Sequence, residues 1–365
     1  MQKLNFINYF SGFIVIDIGS NSIKSTFYQI NFQNHTLIKH PFYRRLFKLL
    51  NHFKNGLLSQ YVIDKIVDDF RDILLRISKN EIFANTKIYC FGTEVLRRAI
   101  NYTYIQMLIY RQTGIYIDIL VGGREGYISY LAFINFYLPN NPKTRQNYCL
   151  LDYGGGSCEV TICQQHKISE IKSLKIGSLV LLLKHKHNYK IDWNSIKSEI
   201  DRNLTRISTK ENIFYGMNFF SSSASLKSIN FLMTKVFYKM LVQKNPNIPI
   251  IKDNIMSMIC LFNLIMPMND KELQSYHILK IGYNSIRCAL LTFISFYNKF
   301  KIKEIKSITF SIRDGYLAMI LSHLPEVKDI LVKNKFIKWK IKNIQPLKHT
   351  KDQVFTNVGK TPNIK

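Results

Sequence analysis

Leu150-Leu151-Asp152-Tyr153-Gly154-Gly155-Gly156-Ser157 is an apolar run that ends in an aspartate and breaks into three glycines and a serine. Val15-Ile16-Asp17-Ile18-Gly19-Ser20-Asn21-Ser22 has the same design about a domain's length upstream. In each, a buried strand delivers a carboxylate to its C-terminal end. The glycines accept φ > 0 and carry no side chain, so backbone N–H groups can converge on an anion. The aspartate would repel phosphate, so it reads as a holder of Mg²⁺ or of that ion's water shell. Ser20, Asn21, Ser22 and Ser157 can donate to phosphate oxygens. One such turn is weak support; two predict a phosphate cleft between related halves.

Working outward from the first turn, Phe13–Asp17, Ile23–Ile30 and Thr36–Lys39 read as strands. Tyr61–Ile77 has helical spacing at Ile63, Ile66, Val67, Phe70, Ile73 and Leu74. A strand is predicted at Lys87–Phe91, a helix opening over Thr93–Ile100, a strand at Ile115–Val121 and a helix from about Arg124 to Tyr137. Pro139–Gln146 is a polar linker. The pattern then restarts with strands Tyr148–Asp152, Cys158–Cys163 and Ile168–Lys175, followed mostly by helix. Three strands followed by alternating helix and strand, seen twice, is a weak internal repeat. From Phe336 the chain is basic, with Pro346 and Pro362, and reads as a loosely held tail.

A chain of 365 residues with 47% hydrophobic and 21% charged residues can form two cored domains. Its formal charge of +27 attracts polyanions without choosing among them. The bias to Lys, Asn, Ile, Tyr and Phe expected of an AT-rich coding sequence accounts for part of that charge. Cys90, Cys149, Cys158, Cys163, Cys260 and Cys288 contain no C-x-x-C pair and mostly lie in apolar runs. They argue against a zinc site or a disulfide framework and for a reducing cytoplasm. Cys158 and Cys163, five apart on one strand, should face opposite ways. His185 and His187 alternate with Lys184 and Lys186 and read as a solvated surface. No secretory leader is expected, because Asp17 interrupts the first apolar run. Ile255–Met268 is too short and too polar to span a bilayer and reads as a core helix.

Six blocks in order resemble the exopolyphosphatase / guanosine pentaphosphate phosphatase (Ppx/GppA) family. They are the turn at Asp17–Ser22, Gly92-Thr93-Glu94-Val95-Leu96-Arg97-Arg98-Ala99, and Gly122-Gly123-Arg124-Glu125-Gly126 leading to Tyr130-Leu131. The others are Asp152–Glu159, Ser173-Leu174-Lys175-Ile176-Gly177 and Arg313-Asp314-Gly315-Tyr316-Leu317. The Asp152–Glu159 block joined to Thr93–Arg97 is the specific part.

The resemblance implies an α/β fold of two actin/Hsp70/sugar-kinase-like (ribonuclease H-like) domains with an interdomain cleft, in the family's short form. We divide the chain into residues 1–125 plus about 312–335, residues 126–311, and the tail 336–365. The implied activity is Mg²⁺-dependent (Mn²⁺ as alternative) release of terminal phosphate from polyphosphate or guanosine pentaphosphate by water. Glu125 matches the family's base, at a helix start where dipole and phosphates meet. Asp17, Asp152 and Glu159 fit the metal. Gly19, Ser20, Asn21, Ser22, Gly154, Gly155, Gly156 and Ser157 fit the phosphate cradle, with Thr93, Lys24 and Arg97 beside them. Arg97 is the stronger clamp because its fork holds two oxygens, although pairing with Glu94 at i, i+3 competes for it.

The chain also departs from the family. Arg124 stands where an acidic or neutral residue is usual and would favour ionised Glu125. Cys158 replaces a threonine, Ser221–Ser225 a glycine-rich turn, and His277 an aspartate. Polyphosphate is the leading substrate and guanosine pentaphosphate the runner-up. A kinase of the same superfold and a non-catalytic phosphate sensor are the other classes. No specific nucleic-acid motif accompanies Lys338, Lys340 and Lys342, no membrane segment is expected, and a homodimer is allowed.

Overall fold

The computed structural model describes residues 11–31, 36–83, 85–144, 146–188, 190–207, 214, 216–234, 255–269, 272–273 and 282–323. The first half contains β1 (Gly12–Ile18), β2 (Ser22–Asn31), β3 (Thr36–Leu46), the small hairpin β4 (Phe53–Lys54) and β5 (Leu57–Leu58), α1 (Gln60–Ser78), β6 (Lys87–Gly92), α2 (Glu94–Arg98), α3 (Tyr102–Thr113) and β7 (Ile117–Ile119). Helix α4 (Gly122–Ala132) runs on through a π turn at Phe133–Tyr137. The second half contains β8 (Tyr148–Tyr153), β9 (Cys158–Gln164), β10 (Lys167–Leu174), α5 (Ser178–Lys184), β11 (Lys186–His187), β12 (Lys190–Ile191), α6 (Trp193–Leu204), β13 (Asn218–Ser221), α7 (Ala224–Leu232), α8 (Ile255–Ile265), α9 (Tyr283–Phe300), β14 (Ile305–Ser307) and α10 (Ile312–Leu321).

The internal repeat is a repeat of topology. One sheet has the order β3-β2-β1-β6-β7 and the other β10-β9-β8-β13-β14. In both, a three-stranded antiparallel meander is extended by two strands parallel to its first. β1 is buried along its whole length, as expected of a strand covered on both faces. Ile14, Ile16 and Ile18 face α1, which presents Val62, Ile66, Phe70 and Ile73. Phe13 and Val15 face the other way, onto Ile128 of α4 and Tyr316, Leu317 and Ile320 of α10. In the second sheet Leu151 and Val160 pack with α6, α7, α8 and α9, while Tyr148, Leu150 and Phe220 meet Phe133 and Ile134 of the π turn. Helices α4 and α10 therefore fill the space between the sheets. Cys158 and Cys163 join different cores, on opposite faces of β9.

The structure differs from the sequence reading in several places. β3 runs through Pro41 to Leu46, because a shift in pairing at Ser25/Thr26 places the proline on an edge strand that needs no N–H there. α3 was hidden by Tyr102, Tyr104 and Met107, which put apolar surface on its exposed side and blur the helical period. His185 does not sit on a solvated face. Its ring bonds Glu199 at 2.5 Å and is only 15% exposed, and Lys184 bonds the same carboxylate at 2.8 Å. Ile255–Ile265 is a helix on the second core. His277 and the tail from Phe336 lie outside the described residues.

Candidate active site

Both aspartate-tipped turns close by the same hydrogen bond. Gly19 N donates to Ser22 O at 3.1 Å, and Gly154 N to Ser157 O at 2.9 Å. None of these loop glycines has a positive φ, so the left-handed backbone expected from the sequence is absent, and it is at Gly155 and Gly156 that close approach requires glycine. The two tips touch. A Cβ on Gly155 would lie 3.6 Å from Asn21 Cβ, and one on Gly156 would lie 2.5 Å from Ser20 Oγ and 2.7 Å from Glu94 Cγ. The second loop rests in turn on Gly177, where any side chain would run into the backbone of Gly155–Ser157. That contact explains the glycine ending the Ser173–Gly177 block.

The seven-residue spacing of the two turns sets up matched cross-strand pairs. Asp17 stands opposite Lys24 in β1–β2, and Asp152 opposite Glu159 in β8–β9. Opposite residues share a face of the sheet, so one half presents acid and cation where the other presents two acids. Asp17 accepts from Arg313 Nη1 at 3.0 Å. Asp152 accepts from Ser129 Oγ at 2.8 Å and lines a small pocket with Ser222. Glu159 accepts from Ser173 Oγ at 2.8 Å. Cys158 faces the core, so the hydroxyl lost there does not touch this face. Thr93 caps α2, with its backbone N 3.1 Å from Ile18 O and its hydroxyl on the same oxygen, which ties β6 to the first loop.

Glu125 lies in the first turn of α4 and is 4% exposed. Arg97 donates to it, to Glu94 and to Leu120 O. Arg97 thus makes the Glu94 pairing that was weighed against its role as a phosphate clamp, and adds Glu125, which the sequence reading did not consider. Burial pushes the Glu125 carboxyl up to about 8, against the pull of Arg97 and with help from Asp152 and Glu94. Burial also pushes Glu159 up, reinforced by Glu125 and Asp152, and raises Asp152, reinforced by Asp17. Lys24 is drawn below the ordinary lysine value by burial, against the pull of Asp17. Arg124 points away from the neighbouring glutamate and bonds Asp118 at 2.8 Å.

The sequence reading passed over three contributors. Arg313 carries the cation on Asp17, Glu94 fills the gap between the loops, and Ser129 holds Asp152. Ser129 could have been found from its i+4 spacing to Glu125, which puts both near one face of α4. Arg313 had a signal in its block but none that aimed it at Asp17.

Among the described residues, no three His, Cys, Asp or Glu side chains converge as a ready-made metal site. The donor set still fits a hard divalent cation of the Mg²⁺ kind. Asp17 and Asp152 offer carboxylate oxygens near enough for the charge of one to raise the pKa of the other. Such an ion commonly takes one or two carboxylates and completes its shell with water and substrate phosphate.

The Ppx/GppA phosphatase family model matches residues 35–204. Among curated proteins, the bifunctional 3-dehydroquinate synthase/phosphatase of Fusobacterium nucleatum is 28% identical over 198 residues, covering 50% of this chain. The match spans only 28% of that protein's length. The Aquifex aeolicus PPX-GPPA enzyme superposes with a TM-score of 0.64 at 18% identity, over 84% of this chain and 98% of that one. An exopolyphosphatase from Cytophaga hutchinsonii gives 0.69 at 15% identity, over 86% and 99%. Residues 35–204 thus carry the sequence pattern of the Ppx/GppA phosphatase family model, second loop included, and the chain shares the actin-like fold of these solved Ppx/GppA proteins on both sides of the paired turns.

Proposed function

We propose that this protein hydrolyses the terminal phosphoanhydride bond of inorganic polyphosphate, with Glu125 as the base that takes a proton from the attacking water. The observation that carries this reading is the contact of the two loop tips, with the buried Glu125 carboxylate joined to them through Arg97 and Glu94. Loop N–H groups and the hydroxyls of Ser20, Ser22 and Ser157 would hold the terminal phosphate. Phosphoryl transfer needs chiefly positioning and charge stabilisation, which such a cradle supplies. A bound Mg²⁺, held by Asp17 and Asp152 with Glu159 beside them, would neutralise charge on the phosphate oxygens. Ser129 keeps Asp152 oriented. Ser223 caps α7 by accepting from Leu226 N at 3.0 Å, so Ser221–Ser225 forms a strand end and a capped helix. This favours a substrate without a nucleoside. The two-domain division read from the sequence is part of the proposal, supported by the paired sheets.

The test is phosphate release from polyphosphate and from guanosine pentaphosphate, each with and without Mg²⁺. Metal-dependent release, faster from polyphosphate, is expected. Much faster release from guanosine pentaphosphate would transfer the assignment to the nucleotide. Tight anion binding with no release from either would make the protein a sensor.

A further inference from the structure

Beyond the loops, the same face of the first sheet carries more positive charge than any step at the terminal phosphate uses. Cross-strand pairing places Asp17 opposite Lys24 and Lys24 opposite Arg44, which makes one row across β1, β2 and β3. Two inter-strand spacings make this row roughly 10 Å long. Tyr28 shares the face of Lys24 at an even spacing along β2, and Lys39 stands opposite Tyr28. Tyr28 and Lys39 both bond Asp314, each at 2.7 Å, and Arg313 bonds Thr26 at 2.9 Å and Asp17 at 3.0 Å. From the second half, Lys227 of α7 lies within electrostatic reach of Lys39, Arg313, Asp314 and Asp152.

Five cations, Lys24, Lys39, Arg44, Lys227 and Arg313, thus surround one strip, whose acids are Asp17, Asp152 and Asp314. Lys39 and Arg313 have carboxylate partners. Among the described residues, Lys24, Arg44 and Lys227 make no ion pair. Like charges directly opposite each other on a sheet are destabilising, and the Lys24–Arg44 pair is of that kind. A fold that keeps such a pair beside a phosphate site gains from an anion that lies along it.

We propose that this strip is the path of the polyphosphate chain behind its terminal unit. The chain leaves the loops past Lys24, crosses β2 toward Arg44 on the exposed edge strand, and is flanked by Lys227 from the other half. Arg44 and Lys227 are then specificity residues for chain length. The proposal rests on polyphosphate as the ligand, but not on its being hydrolysed.

Equilibrium binding of long-chain polyphosphate and of pyrophosphate to the full chain tests it, with wild type, Arg44→Gln/Lys227→Gln and Arg44→Lys. The double variant should bind the long chain at least about tenfold more weakly, with the salt dependence of log K reduced by about 1 to 2. Pyrophosphate, too short to reach Arg44, should bind equally well to both, and Arg44→Lys should behave nearly as wild type. Unchanged long-chain binding would overturn the path, as would an equal loss for pyrophosphate. So would competition by an oligodeoxynucleotide of equal charge as effective as that of polyphosphate, since the strip would then be a general polyanion surface. Phosphate release measured on the same samples separates the two claims. Chain-length-dependent binding without release would end the hydrolase reading alone, and release without it would end the path alone.

Discussion

Replacing Glu125 by glutamine is expected to slow phosphate release from polyphosphate by about 10²–10⁴-fold, the usual worth of a positioned general base. Glutamine keeps the shape and can still accept from Arg97, but cannot take a proton from water. Arg97 also keeps Glu94 and Leu120 O, so no cation is stranded and the melting temperature should change little. The pH profile carries the sharper signature. Only the ionised carboxylate acts as a base, and burial holds the Glu125 pKa at about 8. The kcat/KM of wild type should therefore rise with pH and level off near that value, and the residual rate of Glu125→Gln should lack this limb. Arg124→Gln should leave the midpoint in place, because Arg124 is spent on Asp118. A limb that survives in Glu125→Gln would assign it to another group and remove Glu125 as the base.

The parts of this site legible in the sequence are those written in local pattern. The two Asp-Gly turns, the strands leading into them and the Glu125 helix start each occupy a few consecutive residues, so periodicity and turn chemistry expose them. The partners of those residues were not legible, because they come from far along the chain. Arg313 reaches Asp17 across 296 residues and Tyr28 reaches Asp314 across 286. Nothing local distinguishes Arg313 as the cation on Asp17 from Lys24, which the strand register places directly opposite. Arg124 shows the opposite error. Adjacency to Glu125 suggested a contact, but neighbours on a helix point about 100° apart, and the guanidinium turns to Asp118 instead. The glycine run itself suggested positive φ angles, where the structure shows extended or right-handed backbone and crowding at Gly155 and Gly156.

That crowding is most severe at Gly315, and Gly315→Ala is expected to have the largest effect on stability. Helices α4 and α10 cross there backbone to backbone. An added Cβ would lie 1.9 Å from Ile128 O, 2.8 Å from Ile128 C and 3.0 Å from Ala132 N. None of these is the end of a flexible side chain, so the helices themselves must separate. Overpacking of this kind costs about 2–3 kcal/mol, which should lower the melting temperature by roughly 5 °C or more. The displaced elements hold the site together. α4 carries Glu125 and the Ser129 that orients Asp152, and α10 carries the Arg313 bound to Asp17. Phosphate release should therefore fall further than the folded fraction does. Gly123→Ala, at the start of the same α4, is the control. No atom lies within 4 Å of a Cβ there, and alanine in a helix is favoured over glycine by up to about 1 kcal/mol. Thermal melts and release rates for the two variants should move in opposite directions or, for Gly123→Ala, stay at wild type. If Gly315→Ala melts with wild type and turns over normally, then α4 is not wedged against α10. The buried carboxylate at its first turn would then owe its position to Arg97 and Glu94 alone.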